Sequence, residues 1–160
     1  MEELKQLVLK NFISEKGHHF SSLPLSYQTF GKNLHTAPIV LVNHALTGNS
    51  HVAGNGGWWN DLVGKNKAIN TEEYTILAFN IPGNGYDGFV IENYKDFVAR
   101  DIAAIFLKGL DQLHISNLFA IVGGSLGGGI AWEMAVIKPA ITQHLIPIAS
   151  DWKSTDWLIA

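Results

Sequence analysis

With 160 residues, 47% of them apolar and only 16% charged, the chain is one domain able to bury a sizeable core. A formal net charge of -3 gives no basic footprint for nucleic acid, and no apolar run approaches the roughly 20 residues of a membrane span. The segment Met1–Lys10 lacks an apolar signal core, and without cysteine there is no disulfide framework or thiolate chemistry, so a cytoplasmic α/β domain is expected.

In chain order, Leu4, Leu7 and Val8 stand at helical spacing and predict a short helix or frayed arm over residues 2–10. From Phe20 to Phe30, Leu23, Leu25, Tyr27 and Thr29 alternate with Pro24, Ser26 and Gln28. That pattern predicts an edge or antiparallel strand with one wet face, closed by the turn Gly31-Lys32-Asn33. Continuous apolar runs at 38–43, 74–80, 118–122 and 145–149 predict buried parallel strands. A helix over about 94–113 is expected between the second and third of these, capped by Asn93 and Asp96, with Val98, Ile102, Ile105, Phe106, Leu110 and Leu113 inward. A second helix over 126–138 stops before Pro139. Strands alternating with helices predict a doubly wound, mostly parallel α/β sheet, with any ligand at the carboxyl ends of the strands. The long segment 44–72 exceeds what a connection needs and is expected to be functional or to hold a short helix.

The chemistry centres on Gly123-Gly-Ser125-Leu-Gly127, a Gly-x-Ser-x-Gly turn between a buried strand and a helix. Such a nucleophile elbow holds its serine in a strained conformation, and glycine at 123, 124, 127, 128 and 129 is expected to remove collisions around it. Ser125 then stands at a helix N-terminus, where N–H groups and the helix dipole favour developing negative charge. The loop His44–Gly54 follows the first buried strand, where an elbow enzyme carries its second oxyanion donor; the Leu46 and Leu126 N–H groups are the candidates. Read alone, the same loop is an ordinary glycine-containing surface loop.

His44-Ala-Leu-Thr-Gly-Asn-Ser-His-Val-Ala-Gly54, Gly57-Trp-Trp-Asn-Asp-Leu-Val-Gly64, Lys67-Ala-Ile-Asn-Thr71 and Val122-Gly-Gly-Ser-Leu-Gly-Gly128 together resemble the homoserine O-acetyltransferase family of α/β-hydrolases, from about Leu23 to Ser150. The resemblance implies ping-pong transfer of an acetyl or succinyl group from acetyl-CoA or succinyl-CoA to the homoserine hydroxyl, in methionine biosynthesis, with no bound cofactor. It implies Ser125 as nucleophile and Leu46 and Leu126 as oxyanion donors; His44, Thr47, Gly48 and His51 are candidate substrate contacts. After the second buried strand the chain departs from the family's Asn-x-Leu-Gly-Gly-Cys and Gly-Ser-Thr-Gly-Pro runs, reading Asn80-Ile-Pro-Gly-Asn-Gly-Tyr-Asp-Gly88.

The triad order of this fold is serine, acid, histidine, yet the one histidine after Ser125 is His144, expected at the amino end of the sheet, away from the elbow. Asp151 follows the last strand on the correct edge but reads as a loop carboxylate. The 160 residues are therefore expected to be a single partial domain, truncated before the lid and C-terminal strands. Negligible turnover alone, and association as a homodimer or with the missing part, are the corollaries. A serine esterase or a non-catalytic binding domain of the same fold are the alternatives. Gly83–Gly88 matches Gly-x-Gly-x-x-Gly without opening a helix, which argues against dinucleotide binding, and His18, His19 and His35 read as surface residues rather than metal ligands. Trp58-Trp59 could cover a ligand or tie the long loop to the sheet.

Overall fold

Backbone groups within buried apolar runs have no water to bond and must pair with one another. In the computed structural model, which describes residues 3–92, 95 and 97–153, six strands do so. An N-terminal hairpin, β1 (Lys5–Ile13) and β2 (His19–Gly31), is followed by β3 (Ile39–Asn43) and by a separate two-stranded parallel pair, β4 (Val63–Gly64) and β5 (Ile69–Asn70). Then come β6 (Thr75–Phe79), helix α1 (Ala99–Gln112), β7 (Leu118–Gly124), helix α2 (Leu126–Ile137), a 3-10 turn at Pro139–Ile141 and β8 (Thr142–Ile148). The main sheet runs β1-β2-β6-β3-β7-β8. Its β6–β3, β3–β7 and β7–β8 pairings are parallel, and β1–β2 and β2–β6 are antiparallel. All ten residues of β3 and β6 are buried, as central parallel strands require.

Helices α1 and α2 pack on one face, where Ile105, Phe106, Ile130 and Met134 meet Leu41, Leu77 and Ile121. The alternate residues Val40, Val42, Ile76, Ala78 and Val122 point to the other face, which Val52, Ala53, Val63 and Trp59 of the 44–72 segment cover. That segment holds the short parallel pair β4–β5 and no helix.

Two expectations change. Residues 5–13 form a strand rather than a helix, in register with β2 from Lys5↔Tyr27 to Ile13↔His19. Asn11 takes a left-handed φ of 52°, which breaks the alternation, so Leu9 and Phe12, three apart, enter the same core while Leu4 and Val8 stay exposed. Nor is the polar side of β2 wet: Ser26 and Gln28 are buried, because the 44–72 segment lies across them and supplies hydrogen-bond partners.

Helix α1 starts later than the pattern predicts, and the expected caps Asn93 and Asp96 lie outside the described residues. Asp101, buried in its first turn, accepts hydrogen bonds from the Val98 N–H at 2.9 Å and the Glu15 N–H at 2.7 Å. One carboxylate thus satisfies the helix N-terminus and ties it to the β1–β2 turn. Val98, expected to face inward, is the N-cap residue and is exposed. No helix among the described residues is long and apolar enough to cross a membrane. We expect Asp101→Ala, which strands two backbone donors, to cost about 2–4 kcal/mol in a denaturant titration; a loss below about 0.5 kcal/mol would contradict this role.

Candidate active site

The elbow is built from backbone contacts too close for side chains. Ser125, between β7 and α2, adopts φ 52° and ψ -118°, a conformation that non-glycine residues hold only under constraint, at roughly 1–3 kcal/mol. Three hydrogen bonds hold it there. Its N–H donates to the Ile148 carbonyl of β8 at 2.9 Å, and its carbonyl accepts from the Gly128 and Gly129 N–H groups at 2.9 and 3.2 Å. A Cβ on Gly123 would overlap the Gly127 carbonyl, and one on Gly127 would overlap the Asn43 and His44 carbonyls, so both positions need glycine. Gly124 and Gly129 carry no such requirement: a Cβ would meet only Trp59 at 3.9 Å at the first, and nothing within 4 Å at the second. The serine is solvent-exposed, and among the described residues its hydroxyl makes no hydrogen bond.

The loop after β3 abuts this turn. Asn43 pairs with Gly123 across the sheet, and its side-chain Nδ2 donates to the Gly127 carbonyl at 3.4 Å. Leu46, two residues past His44, is 74% exposed, and its N–H donates to no protein acceptor among the described residues. The Leu126 N–H belongs to the first turn of α2 and has no acceptor within its helix. Neither candidate donor has a protein acceptor among the described residues.

His44 is a structural tie. It is buried, its Nδ1–H donates to the Ala45 carbonyl at 2.7 Å, and its Nε2 accepts from the Ile81 N–H at 3.0 Å. Those partners fix the neutral Nδ1–H tautomer and leave neither nitrogen for a substrate or for Ser125. Burial lowers its pKa below the ordinary histidine value; the bond to Ala45 pulls the other way but is the smaller effect.

The family model for the α/β hydrolase fold matches residues 38–157, three quarters of the chain. The chain belongs to this family. Among curated relatives, it is 34% identical to a homoserine O-acetyltransferase of Deferribacter desulfuricans, covering 94% of this chain and 45% of that protein. It is 33% identical to a homoserine O-succinyltransferase of Nitrosomonas europaea, covering 91% and 44%. Among solved structures, it matches the homoserine O-acetyltransferase of Staphylococcus aureus with a TM-score of 0.85 at 28% identity, covering 98% of this chain and 49% of that one. The chain spans less than half the length of the curated relatives it matches.

In this α/β-hydrolase chain, none of the other candidate site residues hydrogen-bonds Ser125 among the described residues. Thr47 is exposed, and Gly48 closes a turn through its N–H to the Ala45 carbonyl at 2.9 Å. The His51 ring stacks on Phe30, with centroids 6.2 Å apart, on the sheet face away from the helices. Trp58 and Trp59 stack on each other at 4.9 Å; Trp59 packs the long loop onto the sheet with its edge beside Gly124, while exposed Trp58 donates its indole N–H to the Asn49 carbonyl within the loop. His144 pairs with Ala120 and its ring meets Phe119, toward the amino end of the sheet, while Asp151 is exposed with its carboxylate accepting the Trp152 N–H at 2.7 Å. A cavity of about 440 Å³ between Phe30, Gly31, Val63, Gly64 and Thr71 lies near the starts of the parallel strands, away from the elbow. No cluster of three histidine or acidic side chains that could hold a metal occurs among the described residues. The residues that sequence reasoning passed over are Asn43, Ser50 and Asn80, and the signal was present: each asparagine is the polar residue ending a buried apolar run at the site edge.

The His44 geometry fixes a pH dependence. Its folded pKa lies below the unfolded value of about 6.5, so the unfolded chain binds the extra proton first and stability falls as pH drops through that value. Protonating Nε2 would also remove the acceptor of the Ile81 N–H. Between pH 7.5 and 5.5 the wild type is expected to lose more unfolding free energy than His44→Gln, by at most about 1.4 kcal/mol per pH unit. Parallel pH profiles for the two proteins in denaturant titrations would contradict the assignment.

Proposed function

We propose that this chain carries the nucleophile half of a serine acyltransferase that moves an acetyl or succinyl group from its CoA thioester to the hydroxyl of homoserine. The observation that carries the reading is exposed Ser125 in its strained conformation at the start of α2, with the end of β3 packed against the same turn. Similarity to curated homoserine O-acetyl- and O-succinyltransferases supports the choice of acceptor and acyl group.

In this mechanism Ser125 Oγ attacks the thioester carbonyl and the oxygen becomes an oxyanion. Donation from the Leu46 and Leu126 N–H groups stabilises that charge; each such donor is worth on the order of 3 kcal/mol. Collapse expels CoA thiolate, which takes up a proton, and leaves an ester on Ser125. The homoserine hydroxyl then attacks that ester while its proton passes to the base; the bond from the acyl carbon to Oγ breaks, the base returns the proton to Oγ, and serine is regenerated in a ping-pong cycle. The base and its acid are proposed to come from sequence outside these 160 residues, since His144 lies toward the opposite end of the sheet and His44 has both nitrogens engaged. A cytoplasmic setting, negligible turnover by these residues alone, and a working form that is a homodimer or joins this half to its complement belong to the same proposal.

Intact-mass analysis of the full-length protein with acetyl-CoA is expected to show an acetyl adduct on Ser125 that homoserine discharges. Ser125→Ala should abolish the adduct and lower transfer by at least about a thousandfold. Absence of an adduct on folded wild type would sink the nucleophile assignment. CoA release at a rate indifferent to homoserine would make the protein a hydrolase instead.

A further inference from the structure

The loop that carries Leu46 is clamped at both ends by consecutive residues of a neighbouring strand end. At one end, His44 Nε2 accepts the Ile81 N–H at 3.0 Å. At the other, Asn80 Oδ1 accepts the Ser50 N–H at 2.8 Å, and Asn80 Nδ2 donates to Ser50 Oγ at 3.0 Å and to Ser26 Oγ at 2.8 Å. Ser50 Oγ in turn donates to Gln28 Oε1 at 2.7 Å. The Asn80 N–H itself donates to the Ser26 carbonyl at 2.9 Å, which seats the asparagine on β2. Ser26, Gln28, Ser50 and Asn80 are each no more than 3% exposed.

Apolar side chains would fill this space with no polar groups to satisfy, so a buried polar cluster at this point is poor evidence for stability alone. What it does is directional. It ties the backbone of Ser50 to the end of β6, as His44 ties the other end, so that residues 45–49 are anchored on both sides. Resting on the acyl-transfer reading above, we infer that Asn80 is a positioning residue that holds the Leu46 N–H where the oxyanion forms. Asn80 itself is buried, with both side-chain polar atoms engaged, and touches no reacting atom.

The test is acylation of the full-length protein by p-nitrophenyl acetate, followed by intact mass with Ser125→Ala as the blank. Ser125 Oγ bonds to the carbonyl carbon, the bond from that carbon to the aryl oxygen breaks, p-nitrophenolate leaves and the hydroxyl proton passes to buffer. The same measurement with O-p-nitrophenyl thionoacetate puts the developing charge on a larger sulfur, which donors spaced for oxygen stabilise poorly. The ester-to-thionoester rate ratio therefore reads the donor geometry, which mere loss of stability does not move. Asn80→Ala is expected to lower ester acylation about tenfold and the ratio by a similar factor. Ser50→Ala, which keeps the Ser50 N–H bond to Asn80, is expected to lower both by a smaller factor. A folded Asn80→Ala protein with the wild-type ratio would overturn the inference. If that variant does not fold, an unchanged ratio in folded Ser50→Ala overturns it equally. Wild type that forms no Ser125 adduct with either reagent overturns the nucleophile reading itself, and the positioning claim with it.

Discussion

The site depends on one approach of backbone to backbone: the first turn of α2 lies against the carbonyls of Asn43 and His44 at the end of β3, with Gly127 between them. A methyl group at that position has no room. The contact brings the end of β3 and the start of its loop against the strand-turn-helix that carries the exposed Ser125. Strain at Ser125 is the counterpart of this closeness. Bonds from Ile148 on one side and from Gly128 and Gly129 on the other over-determine the turn, as an uncommon backbone conformation requires if it is to persist.

Hydrogen bonds anchor the loop next to the site, whereas the fold rests on apolar packing across both faces of the sheet. Leu41, Leu77 and Ile121 bind the helices through packing alone. On the other face Asn80, Ser50 and Gln28 interrupt the apolar cluster with directional bonds. Packing leaves a loop several ways to sit; hydrogen bonds with fixed partners leave one. His44 adds a condition, because its tie to Ile81 needs an unprotonated Nε2.

The strand-turn-helix at Ser125 and the buried parallel strands were legible in the sequence because their signals are local: continuous apolar runs, a Gly-x-Ser-x-Gly turn and a proline stop. The resemblance to homoserine O-acetyltransferases rested on equally local runs and agrees with the similarity found. What was not legible depends on partners distant in sequence. Leu4, Leu7 and Val8 stand at helical spacing, but the strand identity of residues 5–13 comes from pairing with β2. Ser26 and Gln28 look solvent-facing until a segment more than twenty residues later covers them. A local hydrogen-bonding role is the safer reading of His44 from its loop, but that one partner is Ile81, 37 residues on, shows only in the fold. Glycines 124 and 129 look as necessary as 123 and 127, though the geometry spares them.

That last distinction offers the most direct test of the account. The rate at which a fluorophosphonate labels Ser125 should be compared in Gly127→Ala and Gly129→Ala, two identical changes in the first turn of one helix. The account predicts wild-type labelling in Gly129→Ala, where an added methyl meets nothing within 4 Å, and a loss of at least about tenfold in Gly127→Ala, where it meets the Asn43 and His44 carbonyls. Equal labelling of the two would contradict the claim that this backbone contact builds the site.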